Sequence, residues 1–212
     1  MRRILIATSI CISLLNSDVE AQLINCIGLK LGSVAANQDW EYSRYTANLD
    51  TRVRWGTDLG AYVEWLHLPV VSLLTEVHYI QKGFRVDIPV RTTANPEGDG
   101  TFHTYAPRVD YLAIPLLAKC RIELGSSSLY VFGGPRLDVF LNTDDQGFGI
   151  VLDNFRYSEY GVTIGLGFLT TQILPFGLGA EIRYSPSLQD SYATDLLTVR
   201  NSSFEIVLVI SN

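Results

Sequence analysis

The segment "RWGTDLGAYVEW" (residues 54–65) sorts its side chains into two faces. Trp55, Thr57, Leu59, Ala61, Val63 and Trp65 lie on one, and Gly56, Asp58, Gly60, Tyr62 and Glu64 on the other. A period of two is the mark of a β-strand. The pattern recurs, and it predicts strands near residues 24–34, 50–66, 71–86, 107–123, 128–141, 155–170, 176–185 and 202–211. About eight strands is the number at which a closed sheet is filled by its own side chains. The alternation leaves one question open, because a soluble barrel hides its apolar face inside whereas a membrane barrel turns that face to lipid.

The connections bear on it. Those at "AANQDWEYSRYTANL", "DIPVRTTANPEGDGTFHTYAP", "NTDDQGFGIVLDN" and "SPSLQDSYATDLLTVR" are long, and those at "HLPVV", "GSSS" and "TQILP" are short. Long and short alternate strictly, as in an outer-membrane barrel with short periplasmic turns and long outer loops. The first connection is long, so both termini are expected on the periplasmic side.

The polar faces carry glycine and charge together. Lys30, Lys119, Arg121, Arg136 and Arg183 stand against Asp58, Glu64, Glu76, Glu123, Asp138, Glu159, Glu181 and Glu205, with Gly28, Gly32, Gly134, Gly161, Gly165, Gly167, Gly177 and Gly179 among them. Glycine packs nothing on a water-facing wall, but it makes room for large side chains inside a narrow barrel. Unpaired charges buried there would cost several kcal/mol each, so the charges are expected to pair across the lumen as a plug. Trp55 and Trp65, ten residues apart on the apolar face, project to roughly 25 Å along a tilted strand, the height of a lipid-facing band. Tyr160, Tyr184 and Phe204 are expected at the rim of Trp55, and Phe168 and Phe176 at that of Trp65, as two aromatic girdles.

The start of the chain reads as a secretory leader: Met1, Arg2 and Arg3, the apolar run "ILIATSICISLL", then "NSDVEAQ" with Val19 and Ala21 before a cut. Residues 1–21 are therefore expected to be removed, leaving residues 22–212 as one domain. That step takes away two Arg and two acids, so the remainder keeps the net charge of −6. No Lys/Arg cluster in the sequence offers a track for nucleic acid. The two remaining cysteines, Cys26 on the polar face and Cys120 on the apolar face, fall on strands not expected to be neighbours and read as free, buried thiols.

The motifs "YIQKG" (79–83), "YLAIPLLAK" (111–119), "YVFGGPRLD" (130–138), "YGVTIGLGF" (160–168) and "EIRYSPSL" (181–188) resemble, in order, the PorT-like family of outer-membrane β-barrel domains. The resemblance implies a small closed barrel of a Gram-negative outer membrane, associated with a secretion or envelope apparatus. It departs at the C-terminus, where "VISN" stands in place of the aromatic residue with which such barrels commonly end.

Chemistry is sparse. His67 falls in a short turn, His78 on the lumen face beside Glu76, and His103 in a long loop, none in a spacing with a nucleophile and carboxylate. "NTDDQG" with Asp153 echoes a calcium loop but departs from it at the later positions, and reads as a solvated turn. "DWEYSRY" (39–45) reads as part of an exposed outer loop that could meet a ligand, a surface sugar or a protein. No catalytic, cofactor-binding or metal-binding residues are assigned. The reading is an all-β, eight-stranded, antiparallel up-and-down transmembrane barrel in contact with outer-membrane lipid, with a structural or partner-binding role and no catalysis. Three alternatives share the pattern: a small-solute channel, a secreted soluble barrel for an apolar ligand, and an outer-membrane lipid-modifying or proteolytic enzyme.

Overall fold

The computed structural model describes residues 24–43, 49–66, 70–91, 100–172 and 175–212. The leader expected at residues 1–21, Cys11 and His67 lie outside them. The eight barrel strands are β1 (Ile24–Tyr42), β2 (Arg54–Trp65), β3 (Val71–Gly83), β6 (Arg108–Leu124), β7 (Ser127–Asp144), β8 (Ser158–Thr170), β9 (Gly177–Pro186) and β11 (Leu197–Ser211). Between them lie a hairpin, β4 (Val86–Pro89) with β5 (Phe102–Tyr105), one helical turn α1 (Gly149–Leu152), and the short β10 (Tyr192–Ala193). Each barrel strand pairs antiparallel with the next, and β1 pairs with β11 from Gly28↔Ser211 to Tyr42↔Leu197, closing the ring. An antiparallel ring has no edge except at its rims, so the wall strands satisfy their amides mainly on one another, with the ladder interrupted at Ile24/Cys26 and Asp110/Tyr111.

All eight expected strands are present, and the long and short connections alternate as expected. Ile24, the C-terminal end of β11 and the β6–β7 turn share one rim; the β4–β5 hairpin, α1 and β10 crowd the other. Two expectations are corrected. β1 runs on through Ala35 to Tyr42, and β11 begins at Leu197, so the first and last outer loops are shorter than the sequence suggests. "DWEYSRY" is correspondingly not wholly a loop: Asp39 to Tyr42 belong to β1, and Trp40 points inward, 4% exposed, against Phe84 and Phe148.

These extensions explain how the wall is written. A strand needs about 9–11 residues to cross a bilayer, yet β1, β6 and β7 have 19, 17 and 18. Along the outer face of β1, Ile27, Leu29 and Leu31 give way after Ser33 and Ala35 to Asn37, Asp39 and Glu41. On its neighbour β11, Ile210, Leu208, Ile206 and Phe204 give way to Ser202, Arg200 and Thr198. The inner face does the reverse. Beyond the same level it carries Val34, Ala36, Trp40, Val199 and Leu197, packed with Ile80, Phe84, Val109, Tyr111 and Leu152. The change falls on one cross-strand row, Trp55–Ala35–Phe204–Tyr184, whose three aromatics all face outward. Below that row the outside demands apolar side chains and the inside tolerates charge; above it the barrel has an ordinary apolar core. Such a wall fits hydrocarbon up to the aromatic row and water beyond it.

Trp55, Leu59, Leu129, Ile164, Ile206 and Leu208 are all exposed, and Asp58, Glu64, Glu76 and Glu181 are all buried. The face of β2 bearing Trp55 and Trp65 is the outer wall.

Candidate functional site

Among the described residues the lumen is the chemically dense region, and the strand period builds it. Residues at alternate positions of β1, β2, β3, β7, β9 and β11 point to a common axis, bringing together side chains far apart in sequence. Lys30 Nζ donates to Glu76 Oε1 at 2.6 Å and to Glu181 Oε1 at 3.0 Å. The Arg183 guanidinium donates to Glu76 Oε2 at 2.6 Å and also to Glu181. Arg136 donates to Asp138 Oδ1 at 2.6 Å and Glu205 Oε1 at 2.9 Å, and Lys82 to Asp138 Oδ2 at 2.6 Å. Nearer the short-turn rim, Lys119 and Arg121 pair with Glu64 at 2.9 and 3.2 Å.

Aromatic rings lie between these pairs. Lys30 Nζ sits 4.6 Å from the Tyr62 ring centre, Lys119 Nζ 4.2 Å from that of Tyr130, and the Arg183 guanidinium 5.0 Å from that of Phe132. A cation over a ring face recovers part of the hydration lost on burial. The rings need space opposite, and lumen glycines provide it. A Cβ at Gly60 would lie 2.5 Å from His78 Nδ1, and one at Gly167 would lie 2.4 Å from Tyr130 Cζ.

Most of the expected lumen charges are brought into this network. Two are placed differently. Glu123 is at the rim, its side chain 57% exposed and 3.4 Å from Arg121. Glu159 is buried with no ion-pair partner among the described residues; it accepts from the Tyr111 hydroxyl at 2.6 Å and from Asn201 Nδ2 at 3.1 Å. Lys82, a lumen cation absent from the sequence reading, lies just where the strand pattern yields to the apolar cap, with Ile80 and Phe84 on either side. The cysteines are free, as expected, but not buried: Cys120 is exposed on the outer wall and Cys26 is half-buried beside Tyr62.

His78 joins the network as a bridge. Its Nδ1 lies 2.6 Å from Asp58 Oδ1 and its Nε2 2.9 Å from Glu76 Oε2. Both nitrogens can donate to these carboxylates only in the imidazolium form, and the side chain is 3% exposed. That arrangement orders the lumen and gives the imidazole no reacting group. His103 lies in β5, its ring 4.5 Å from that of Tyr105. Among the described residues, no cluster of three or more His, Cys, Asp or Glu side chains could hold a metal ion. In the calcium-like segment, Asn142 to Asp144 are β7 residues, and Gln146 Oε1 accepts the backbone amide of Ala106 at 2.8 Å, tying two outer loops together.

Above the ion network, Gln38 Nε2 donates to Asn201 Oδ1 at 2.9 Å and Trp40 Nε1 to Gln38 Oε1 at 3.2 Å. Then comes the apolar cluster of Trp40, Phe84, Val86, Leu152 and Phe155. The lumen is thus closed twice, by paired charge at mid-height and by an apolar cap beneath the long loops.

Among solved structures the chain is similar to OprG from Pseudomonas aeruginosa (12% identity, TM-score 0.46, 88% of this chain and 95% of that one). It is also similar to the outer membrane protease OmpT from Escherichia coli (7%, 0.46, 88% and 96%). A third is Ail, the attachment invasion locus protein of Yersinia pestis, in complex with the heparin analogue sucrose octasulfate (12%, 0.39, 88% and 98%). No curated protein matches in sequence. A family model, the outer membrane protein beta-barrel domain, matches residues 21–193, a stretch that takes in seven of the eight barrel strands. The chain belongs to the outer membrane protein β-barrel domain family.

Proposed function

We propose that the protein is an integral outer-membrane barrel of PorT-like type, delivered by a cleaved leader of residues 1–21, that acts by contact and not by transport or catalysis. Its long loops face outward and its short turns face the periplasm, where it meets a component of a secretion or envelope apparatus. The observation that supports this most is the double closure of the lumen: Glu76, Glu181 and Arg183 fill its middle, each at most 2% exposed, and Trp40 and Phe84 cap it. Eight strands leave little room for water once such side chains are present.

Planar-bilayer recording of the purified protein tests the reading against a small-solute channel. The expected result is a baseline without single-channel steps at either polarity. Reproducible steps of constant size would overturn it.

A further inference from the structure

Just beyond the aromatic row, two exposed arginines stand directly opposite each other. Backbone atoms of Arg52 and Arg85 exchange two hydrogen bonds, Arg52 N to Arg85 O at 2.7 Å and Arg85 N to Arg52 O at 2.8 Å. In such a narrow antiparallel pair the side chains leave from the same face, and like charges placed directly opposite repel. Both residues are exposed. The nearby carboxylate is Asp87, and each of its oxygens already has a donor: Oδ2 accepts from Arg52 at 2.8 Å and Oδ1 from Thr104 at 2.6 Å. Among the described residues Arg85 has no ion-pair partner. Alongside, the Arg54 side chain runs past Gly83, which pairs with Arg108 on the next strand. Arg108 has Asp110 at 3.2 Å and Asp144 as its cross-strand neighbour. Arg54 and Asp110 lie deeper, Asp110 being 4% exposed, so the arginines presented at the surface here are Arg52 and Arg85, with Asp87 in hydrogen-bond contact with Arg52.

The backbone holds this pair in place. Arg85 lies between Phe84 and Val86, 0% and 4% exposed, both anchored in the apolar cap. A repulsive pair held by buried neighbours is preorganised for an anion, and the planar fork of arginine suits phosphate oxygens.

Height in the membrane selects the anion. Arg52 is three residues beyond Trp55, which at roughly 3.3 Å per residue and about 40° of tilt is about 8 Å above the aromatic row. The interfacial layer outside the hydrocarbon is of that thickness. We propose that Arg52 and Arg85 form a site for the phosphate of an anionic glycolipid headgroup in the outer leaflet. The site rests on the outward orientation of the long loops, which is read separately below.

The test is lipid retention by the purified protein in zwitterionic detergent, followed by native mass spectrometry. The probes are bis-phosphorylated lipid A, the same lipid A after enzymatic dephosphorylation, and inorganic phosphate as competitor. Phosphorylated lipid A is expected to bind, with affinity reduced about tenfold or more by Arg52→Ala with Arg85→Ala. The control Arg200→Ala, which removes the surface pair with Asp190, should leave it unchanged. Arg85→Gln alone keeps the Arg52–Asp87 pair and should still weaken binding, should the double variant not fold. Equal affinity in wild type and variants, or equal binding of dephosphorylated lipid A, would overturn the site. Displacement by inorganic phosphate at matched concentration would overturn the lipid assignment. Labelling of Ile150→Cys by an impermeant maleimide in intact cells, in a background lacking Cys26 and Cys120, reads the orientation. Failure to label would overturn the orientation while leaving the binding result to judge the arginine pair.

Discussion

Glu76→Ala destabilises the barrel by about 3–5 kcal/mol, measured as loss of the heat-modifiable folded band during urea unfolding from lipid vesicles. Glu76 accepts from Lys30, Arg183 and His78 together. Its removal leaves Lys30, Arg183 and His78 each short of one acceptor, with side chains at most 3% exposed, where the remaining charges relax poorly to solvent. Arg52→Ala, at an exposed ion pair, should change stability by less than about 1 kcal/mol. The contrast carries the argument. A loss below about 1 kcal/mol for Glu76→Ala would mean that water hydrates the network, and the plugged lumen would not stand.

The second large effect concerns the outer wall of β11. Leu208→Arg should cost about 2–4 kcal/mol, as expected for a cation facing hydrocarbon near mid-membrane. Thr198→Arg, on the same strand and the same face but beyond Phe204, should stay within about 0.5 kcal/mol of wild type. Both positions face outward in the structure. A soluble barrel would tolerate arginine at both sites. A wall submerged along its whole length would reject it at both.

Most of the architecture is legible in the sequence because its signal is local. Period-two alternation marks each strand, and the charge and glycine of "GTDLGAYVE" show which face could not be spent on lipid. The sequence stops being legible where the solvent outside the wall changes. At Ser33 to Ala36 the outer face of β1 turns polar while the inner face turns apolar, so the alternation inverts and the strand appears to end. The real strand continues to Tyr42, and Trp40, grouped with an exposed loop on sequence grounds, becomes part of the cap. The same inversion hides the first residues of β11. Lys82 falls at this crossover, between Ile80 and Phe84, where neither pattern is clean. The pairing of lumen charges follows from ring closure, which sets Lys30 against Glu181 across 151 residues and has no local trace. The partners of Glu159 are hidden for the same reason, since Tyr111 and Asn201 come from strands distant in sequence. The arginine pair depends on one isolated bridge between the start of β2 and the chain beyond β3, and nothing in the spacing of Arg52 and Arg85 announces it.

One strand passes through two solvents, with its outer face in hydrocarbon below the aromatic row and in water above it. The most direct measurement is a nitroxide scan along the outer face of β1 in lipid vesicles, at Leu29, Leu31, Asn37, Asp39 and Glu41, comparing relaxation by oxygen with relaxation by a polar nickel chelate. Oxygen-dominated relaxation is expected at Leu29 and Leu31, chelate-dominated relaxation at Asn37, Asp39 and Glu41, and a single crossover between them near Ala35. Chelate access at Leu29 and Leu31 equal to that at Glu41 would contradict it.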